Sequence, residues 1–123
     1  VQFTPLVDFM ELQRLVAQVD VNIVPLVRNT FTNCKSELKF FEAAAVDTVT
    51  VATPTYTYEH SIQHGETGFL CNQGQWYDTI TELYKNTELR KHVAKQAEKY
   101  CLTTYAGTAF NKQVCSAYDF FEK

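Results

Sequence analysis

The segment from Lys35 to Glu42 concentrates side chains that could bind an anionic ligand. It reads Lys-Ser-Glu-Leu-Lys-Phe-Phe-Glu and follows a short apolar run that ends at Leu26. Ser36 is predicted to cap a helix that continues to about Val46, because a serine hydroxyl accepts hydrogen bonds from the first helical amides. Unpaired helix N–H groups and the positive end of the helix dipole both favour negative charge. This segment therefore predicts a site for a phosphate-bearing ligand.

The elements around this helix must bring its first turn to a sheet edge. Residues 21–26 form a predicted strand with little alternation, which is typical of a strand covered by helices on both faces. Residues 28–35 are a polar loop, and residues 49–53 are a β-branched strand. Strand, loop, helix and strand make one βαβ unit. Such a unit delivers the helix start to the carboxyl edge of a parallel sheet, where ligands of α/β domains bind.

The rest of the chain predicts further helices around a small sheet. The other predicted elements are helix 8–19, a helical turn over 59–64, strand 69–71, and helices 76–85, 88–101 and 108–122. Apolar residues at helical spacing predict the buried faces: Phe9, Leu12, Leu15, Val16 and Val19; Trp76, Ile80, Leu83 and Tyr84; Leu89, Val93, Ala97, Tyr100 and Cys101; Phe110, Val114, Ala117, Tyr118 and Phe121. The fold class is α/β, a partial doubly wound, Rossmann-like parallel sheet with flanking helices.

Composition and charge exclude several classes of protein. The 123 residues are 46% hydrophobic and 20% charged with a net charge of -3, which is typical of a globular protein and gives no nucleic-acid footprint. No apolar run approaches the ~20 residues of a membrane span. The four cysteines, Cys34, Cys71, Cys101 and Cys115, form no Cys-x-x-Cys pair, so we expect reduced thiols in a cytoplasmic protein.

Five stretches in this order resemble a known family. They are residues 20–26, 35–43, 50–53 and 58–70, followed by the helices from Trp76 onward. The fourth stretch contains an Ile-x-x-Gly-x-x-Gly-x-Leu turn. The chain resembles the C-terminal, donor-binding domain of a GT-B glycosyltransferase of group 1, or family 4. Because open α/β sheets usually have about five strands, we expect residues 1–123 to be part of that domain, with its first strands and the N-terminal domain absent.

The resemblance implies roles for individual residues. Lys39 and Glu42 would be catalytic: Glu42 would accept hydrogen bonds from the nucleotide ribose, and Lys39 would stabilise the departing diphosphate, with no metal or other cofactor. The residues implied to contact the donor are Asn33, Cys34, Lys35, Ser36, Glu37, Leu38 and Glu42. We expect the Glu37 side chain to turn to solvent, because a carboxylate pointing at a phosphate would be unfavourable. Cys34 stands where the family has a first glutamate thought to contact the donor sugar.

The resemblance also implies an activity. The full-length parent would transfer a sugar from a nucleoside-diphosphate sugar to an acceptor hydroxyl, with retention, and this chain alone would be inactive. A sugar or lipid-linked acceptor would bind the N-terminal domain, which would make any peripheral membrane contact. The unpaired edge of the first strand would be covered either by self-association or by the N-terminal segment refolding onto it. The alternatives are a non-catalytic interaction module, and another sugar-nucleotide enzyme such as an epimerase.

Several residues also have simpler interpretations. Glu42 could pair with Lys39 on a solvated helix face, and Lys35 could be an ordinary surface lysine. A nucleophilic role for Cys34 needs a neighbouring base, which the sequence does not supply. His60 and His64 are four residues apart, but a metal needs a third ligand, so surface histidines are favoured.

Two tyrosines follow the second predicted strand, where the sugar or acceptor would lie. Tyr56 and Tyr58 could stack on a sugar ring, or they could pack the loop. The sequence alone leaves both interpretations open.

Overall fold

The computed structural model describes residues 2–121, with the side chains of Ala109 and of residues 119–121 left aside. These residues form seven helices and three strands. In chain order they are α1 (Phe9–Val16), β1 (Val21–Val24), α2 (Thr30–Asn33), α3 (Leu38–Ala44), β2 (Val49–Ala52), α4 (Tyr56–Ser61), β3 (Phe69–Leu70), α5 (Trp76–Lys85), α6 (Thr87–Tyr105) and α7 (Gly107–Phe121). The alternation of strands and helices confirms the predicted α/β class.

The sheet is parallel and has the order β1-β2-β3. Val21 pairs with Val49, and Val51 pairs with Phe69. All four residues of β2 are buried, because this strand has neighbours on both edges and helices on both faces. β1 lies at an edge, and its Ile23 is 47% exposed. The prediction that helices cover both faces of the first strand is therefore wrong at Ile23.

The core lies in two clusters, one on each face of the sheet. The first contains Val24, Phe40, Ala44, Ala52, Tyr58, Ile62, Ala97 and Cys101. The second contains Val49, Val51, Phe69, Cys71, Leu83 and Val93. Because side chains alternate along a strand, Val49 and Val51 enter the second cluster while Ala52 enters the first. α6 contributes to both clusters, with Val93 in the second and Ala97, one turn further on, in the first.

The structure differs from the predicted elements around the candidate site. β1 ends at Val24, and the predicted loop contains the short helix α2. Asn29 caps α2: its Oδ1 accepts the Thr32 N–H at 2.9 Å, and Thr32 Oγ1 accepts the Asn29 N–H at 3.0 Å. α3 then begins at Leu38, with Glu37 at the N-cap and no side-chain cap hydrogen bond. The prediction that Ser36 caps this helix is therefore wrong.

Two predicted buried faces are largely exposed. α1 has no buried residue, and Phe9, Leu12 and Val19 are exposed. The other residues predicted to be buried but found exposed are Tyr84 on α5 and, on α7, Phe110, Val114, Ala117 and Tyr118. The side chain of Phe121, which was also predicted to be buried, lies outside the described residues. An apolar stripe becomes buried only where another surface packs against it, and among residues 2–121 α7 packs mainly on α6.

We predict that two leucines on neighbouring helices differ sharply in their contribution to stability. Leu83 on α5 is fully buried, and Leu102 on α6 is 60% exposed. Leu83→Ala should lower the free energy of unfolding by about 2–5 kcal/mol, because it removes a buried side chain and leaves a cavity. Leu102→Ala should change it by about 0.5 kcal/mol or less. Urea unfolding measures both, and equal losses would contradict the assignment of the second cluster.

Candidate functional site

A cavity of about 230 Å³ opens at the carboxyl edge of the sheet, between β1 and the start of α3. Its lining residues come from the segments that follow β1 and β2: Val24, Leu26, Lys35, Ser36, Leu38, Lys39 and Tyr58. The Leu26 N–H donates to Thr53 Oγ1 at 2.9 Å, which holds the two strand ends together. Four predicted site residues, Lys35, Ser36, Leu38 and Lys39, thus meet in one place.

A second cavity adjoins the first along the same edge. It measures about 610 Å³ and shares Leu26. The loops after β1 and β3 supply most of its walls, and Thr53 and Trp76 complete them. Apolar surface dominates both cavities, and the smaller one differs by carrying two lysines in its wall. The carboxyl edge therefore offers two adjacent, mainly apolar spaces, one of them with cationic groups, an arrangement typical of ligand sites in α/β domains.

The loop between α2 and α3 is fixed by hydrogen bonds to the start of α4. Asn33 Oδ1 accepts the Tyr56 N–H at 3.1 Å, and the Thr57 hydroxyl donates to the Lys35 carbonyl at 2.6 Å. Asn33 therefore supports the loop through its carbonyl oxygen, which leaves its amide N–H groups available. Cys34 lies at the C-cap of α2 as an exposed free thiol.

The two lysines of the smaller cavity are available to a ligand. Both side chains are exposed, and the Lys35 Nζ lies 4.5 Å from the centre of the Phe31 ring. Among the side chains that the structure describes, neither Lys35 nor Lys39 forms an ion pair. The simpler interpretation of Glu42, a surface pair with Lys39, is therefore not the arrangement in the structure.

Glu42 is half-buried on α3 and does not line the smaller cavity. Its carboxylate nevertheless lies near Tyr58, because its charge contributes to the raised pKa of that phenol. Glu42 is thus neither in bulk solvent nor directly in the lysine-lined space.

Glu37 is half-buried, contrary to the expectation that it turns to solvent. Burial raises the pKa of Tyr58 to about 12, and the charges of Glu37 and Glu42 add to that effect. Burial likewise raises the pKa of Cys101 to about 11, again with a contribution from Glu37. The position of Glu37 at the N-cap of α3, opposite the end of α6, explains its inward orientation.

Tyr105, at the end of α6, lies close to Glu37 as well. Burial is the main reason why the pKa of Tyr105 rises to about 12; the Ser61 hydroxyl opposes the rise and Glu37 adds to it. The Tyr105 ring also packs on Phe41 of α3, with centroids 5.1 Å apart. No pattern in the sequence indicated the proximity of Tyr105 to Glu37.

The remaining candidates have structural partners. His60 Nδ1 lies 2.6 Å from the Tyr56 carbonyl oxygen, and His64 Nδ1 accepts the Leu70 N–H at 3.0 Å. Within the described part of the chain, no group of three His, Cys, Asp or Glu side chains could hold a metal ion. Because each histidine contacts a backbone atom, both support local backbone structure.

None of the described helices combines the length and apolar character needed to cross a membrane.

A comparison of the sequence with protein families identifies the chain. The sequence model of the family described as "Glycosyl transferases group 1" matches residues 1–86, from the N-terminal segment through α5. The chain belongs to the group 1 glycosyltransferases. This confirms the resemblance found in the sequence. No curated protein matches the sequence.

A solved structure supports the same fold. The C-terminal domain of a glycosyl transferase group 1 family protein, LpcC from Francisella tularensis, superposes on the chain with a TM-score of 0.71 and 21% sequence identity. The match covers 84% of this chain and 52% of that one. This group 1 chain therefore has the fold of a GT-B C-terminal domain, and it spans about half the length of the matched structure.

We predict that the cysteines react at very different rates with iodoacetamide. Cys34 is exposed, whereas Cys101 is buried with a pKa raised from 9.0 to about 11. At pH 8 the raised pKa alone lowers the thiolate fraction of Cys101 by about 100-fold, so Cys34 should be modified first. The Cys101 rate should rise as the pH approaches 11. Peptide mass spectrometry measures both rates.

The same experiment in urea is the control. Unfolding removes the burial and the neighbouring Glu37 charge, so Cys101 should then react readily at pH 8. Rapid labelling of Cys101 in the native protein at pH 8 would contradict the packing of α6 against α3.

Proposed function

We propose that the chain is the donor-binding part of a glycosyltransferase that transfers a sugar from a nucleoside-diphosphate sugar to an acceptor hydroxyl, with retention. The observation that carries this proposal is the lysine-lined cavity at the carboxyl edge, in a chain of the group 1 family. Lys35 and Lys39 lie there without acidic partners among the described residues. Their charges suit a diphosphate.

Lys39 and Lys35 would act on the leaving group. As the bond to the sugar breaks, negative charge grows on the diphosphate, and a fixed cation stabilises that charge most in the transition state. One such contact at 4 Å contributes about 4 kcal/mol when the effective dielectric constant is about 20. The amides of Ser36, Glu37 and Leu38 would assist only weakly, because α3 has seven residues and therefore a short dipole. We propose that the lysines make a metal unnecessary.

Glu42 would bind the ribose where the nucleotide extends beyond the smaller cavity, which this residue does not line. A carboxylate can accept two hydroxyl donors at once, and a half-buried one is less screened by water than an exposed one. Asn33 and Cys34 would lie on the sugar side, where the Asn33 amide N–H groups and the Cys34 thiol are unobstructed by the contacts described above. A thiol in place of a carboxylate would bind sugar hydroxyls more weakly.

The rest of the reaction would depend on residues outside this chain. The chain covers only 52% of the structure it matches, and a complete transferase site also needs an acceptor pocket. We propose that a further domain of a cytoplasmic parent binds the sugar or lipid-linked acceptor and makes any membrane contact. The hexosyl specificity of the parent and the inactivity of this chain alone belong to the same proposal.

We predict that Glu42→Gln weakens nucleotide binding by the full-length parent. Titration calorimetry with UDP, GDP and ADP should find one nucleotide that binds, and the variant should bind it about tenfold more weakly or worse, because a charged hydrogen bond to the ribose is lost. Glu82→Gln, on the exposed face of α5, is the matched control and should bind as the wild type does.

Each of the other possible results favours a different interpretation of the function. If no nucleotide binds the wild-type parent, the non-catalytic interaction module is favoured. If a nucleotide binds with equal affinity to Glu42→Gln, the ribose role is wrong. Product analysis with the corresponding nucleotide sugar then separates a transferase from an epimerase.

We also predict that the chain on its own self-associates through β1. The outer edge of β1 has no partner strand among residues 2–121, and Ile23 and Val27 are exposed beside it. An open edge of this kind pairs readily with another chain. Ile23→Lys should shift the sedimentation of the isolated chain towards the monomer, since a lysine on an edge strand opposes pairing. Leu102→Lys on α6 should have no such effect, and a wild-type monomer at all concentrations would count against the idea.

A further inference from the structure

Tyr58 is the most deeply buried polar side chain of the lysine-lined cavity. Its ring belongs to the first core cluster, and the residue is 2% exposed. It nevertheless contributes to the cavity wall beside Lys35 and Lys39. A ring this deeply packed cannot stack face-on against a sugar, so stacking by Tyr58 is excluded. What Tyr58 can offer to a ligand is its hydroxyl group.

The hydroxyl of Tyr58 has no hydrogen-bond partner among the described residues. Buried hydroxyls almost always have one, because an unmade hydrogen bond costs free energy. The unpartnered polar atoms that are sealed from solvent in the described chain are Gln13 Nε2 and Thr55 Oγ1, and the Tyr58 hydroxyl is not one of them. Because Tyr58 lines the lysine-lined cavity, that cavity is the space from which a ligand could reach the hydroxyl.

We infer that the Tyr58 hydroxyl donates a hydrogen bond to a phosphate oxygen of a nucleoside diphosphate bound between Lys35 and Lys39. This inference rests on the proposed function, which it deepens by adding a neutral donor to two cations. The two lysines in the same wall favour a negatively charged acceptor over a ribose hydroxyl. A phenol at this position selects the diphosphate over the nucleoside.

The surroundings of Tyr58 keep it in the donating form. Burial, with the charges of Glu37 and Glu42, raises its pKa to about 12, so the phenol keeps its proton at neutral pH. A phenolate would repel phosphate, whereas the neutral group has one hydrogen to give. Lys39 and Lys35 face the group across the cavity, and their charges do not outweigh burial.

The test is Tyr58→Phe in the full-length parent, which removes one oxygen atom and keeps the buried ring. By calorimetry, affinity for the nucleoside diphosphate should fall about tenfold, because a hydrogen bond to a charged oxygen is lost. Affinity for the corresponding nucleoside should not change. Tyr77→Phe, on the exposed side of α5, is the matched control and should bind both ligands as the wild type does.

Three results would overturn the inference. An unchanged affinity for the diphosphate, or an equal fall for the diphosphate and the nucleoside, would show that the hydroxyl does not touch phosphate. If Glu42→Gln weakens binding while Tyr58→Phe does not, the proposed function stands and only this inference fails. If the wild-type parent binds no nucleoside diphosphate, both fail together.

A second measurement does not depend on the variant folding. In the wild-type complex, the Tyr58 hydroxyl proton should show a through-hydrogen-bond coupling to phosphorus in a proton–phosphorus NMR experiment. A hydroxyl proton signal that is assigned and slowly exchanging, yet shows no such coupling, would overturn the inference as firmly as an unchanged affinity.

Discussion

The burial of β2 between two helical layers is the constraint on which the rest of this structure depends. Each of its four residues is buried, and the strand pairs with a neighbour on both edges. Because β1 and β3 run parallel to it, the loops that follow all three strands emerge at one edge. The cavity lysines, Tyr58 and the apolar space beside them lie there for that reason. Disturbing β2 would displace all of these groups together.

α6 transmits this constraint to the far side of the site. Its middle reaches the two core clusters through Val93 and Ala97, while its last two turns bring Cys101 into the first cluster and Tyr105 against Phe41 of α3. The first turn of α3 is thus positioned by the loop hydrogen bonds on one side and by α6 on the other. A short helix without a side-chain cap would be marginal alone. Here tertiary packing supplies the stability that local capping does not.

The sequence predicted the architecture better than the details of the site. The βαβ order, the parallel sheet and the family could be predicted because they depend on long-range patterning that survives errors of a few residues. The start of α3 could not be predicted. Ser36 has a side chain suited to a cap, but the helix begins at Leu38 with Glu37 at the N-cap, near Tyr105 of α6. The exposure of the apolar faces of α1 and α7 could not be predicted from the sequence either. Amphipathic spacing shows that a helix can be buried, and only the presence of a covering surface decides whether it is.

Glu37 and Glu42 raise an apparent conflict, because two carboxylates lie close to a cavity proposed to bind phosphate. The arrangement by depth resolves it. Lys35 and Lys39 line the cavity with exposed side chains, whereas the two glutamates are half-buried and do not line it. Burial, with a smaller contribution from both carboxylates, raises the pKa of Tyr58 to about 12, so the phenol is uncharged at neutral pH. Neither glutamate lines the space in which a phosphate would meet the lysines, which supply the attraction from the open side.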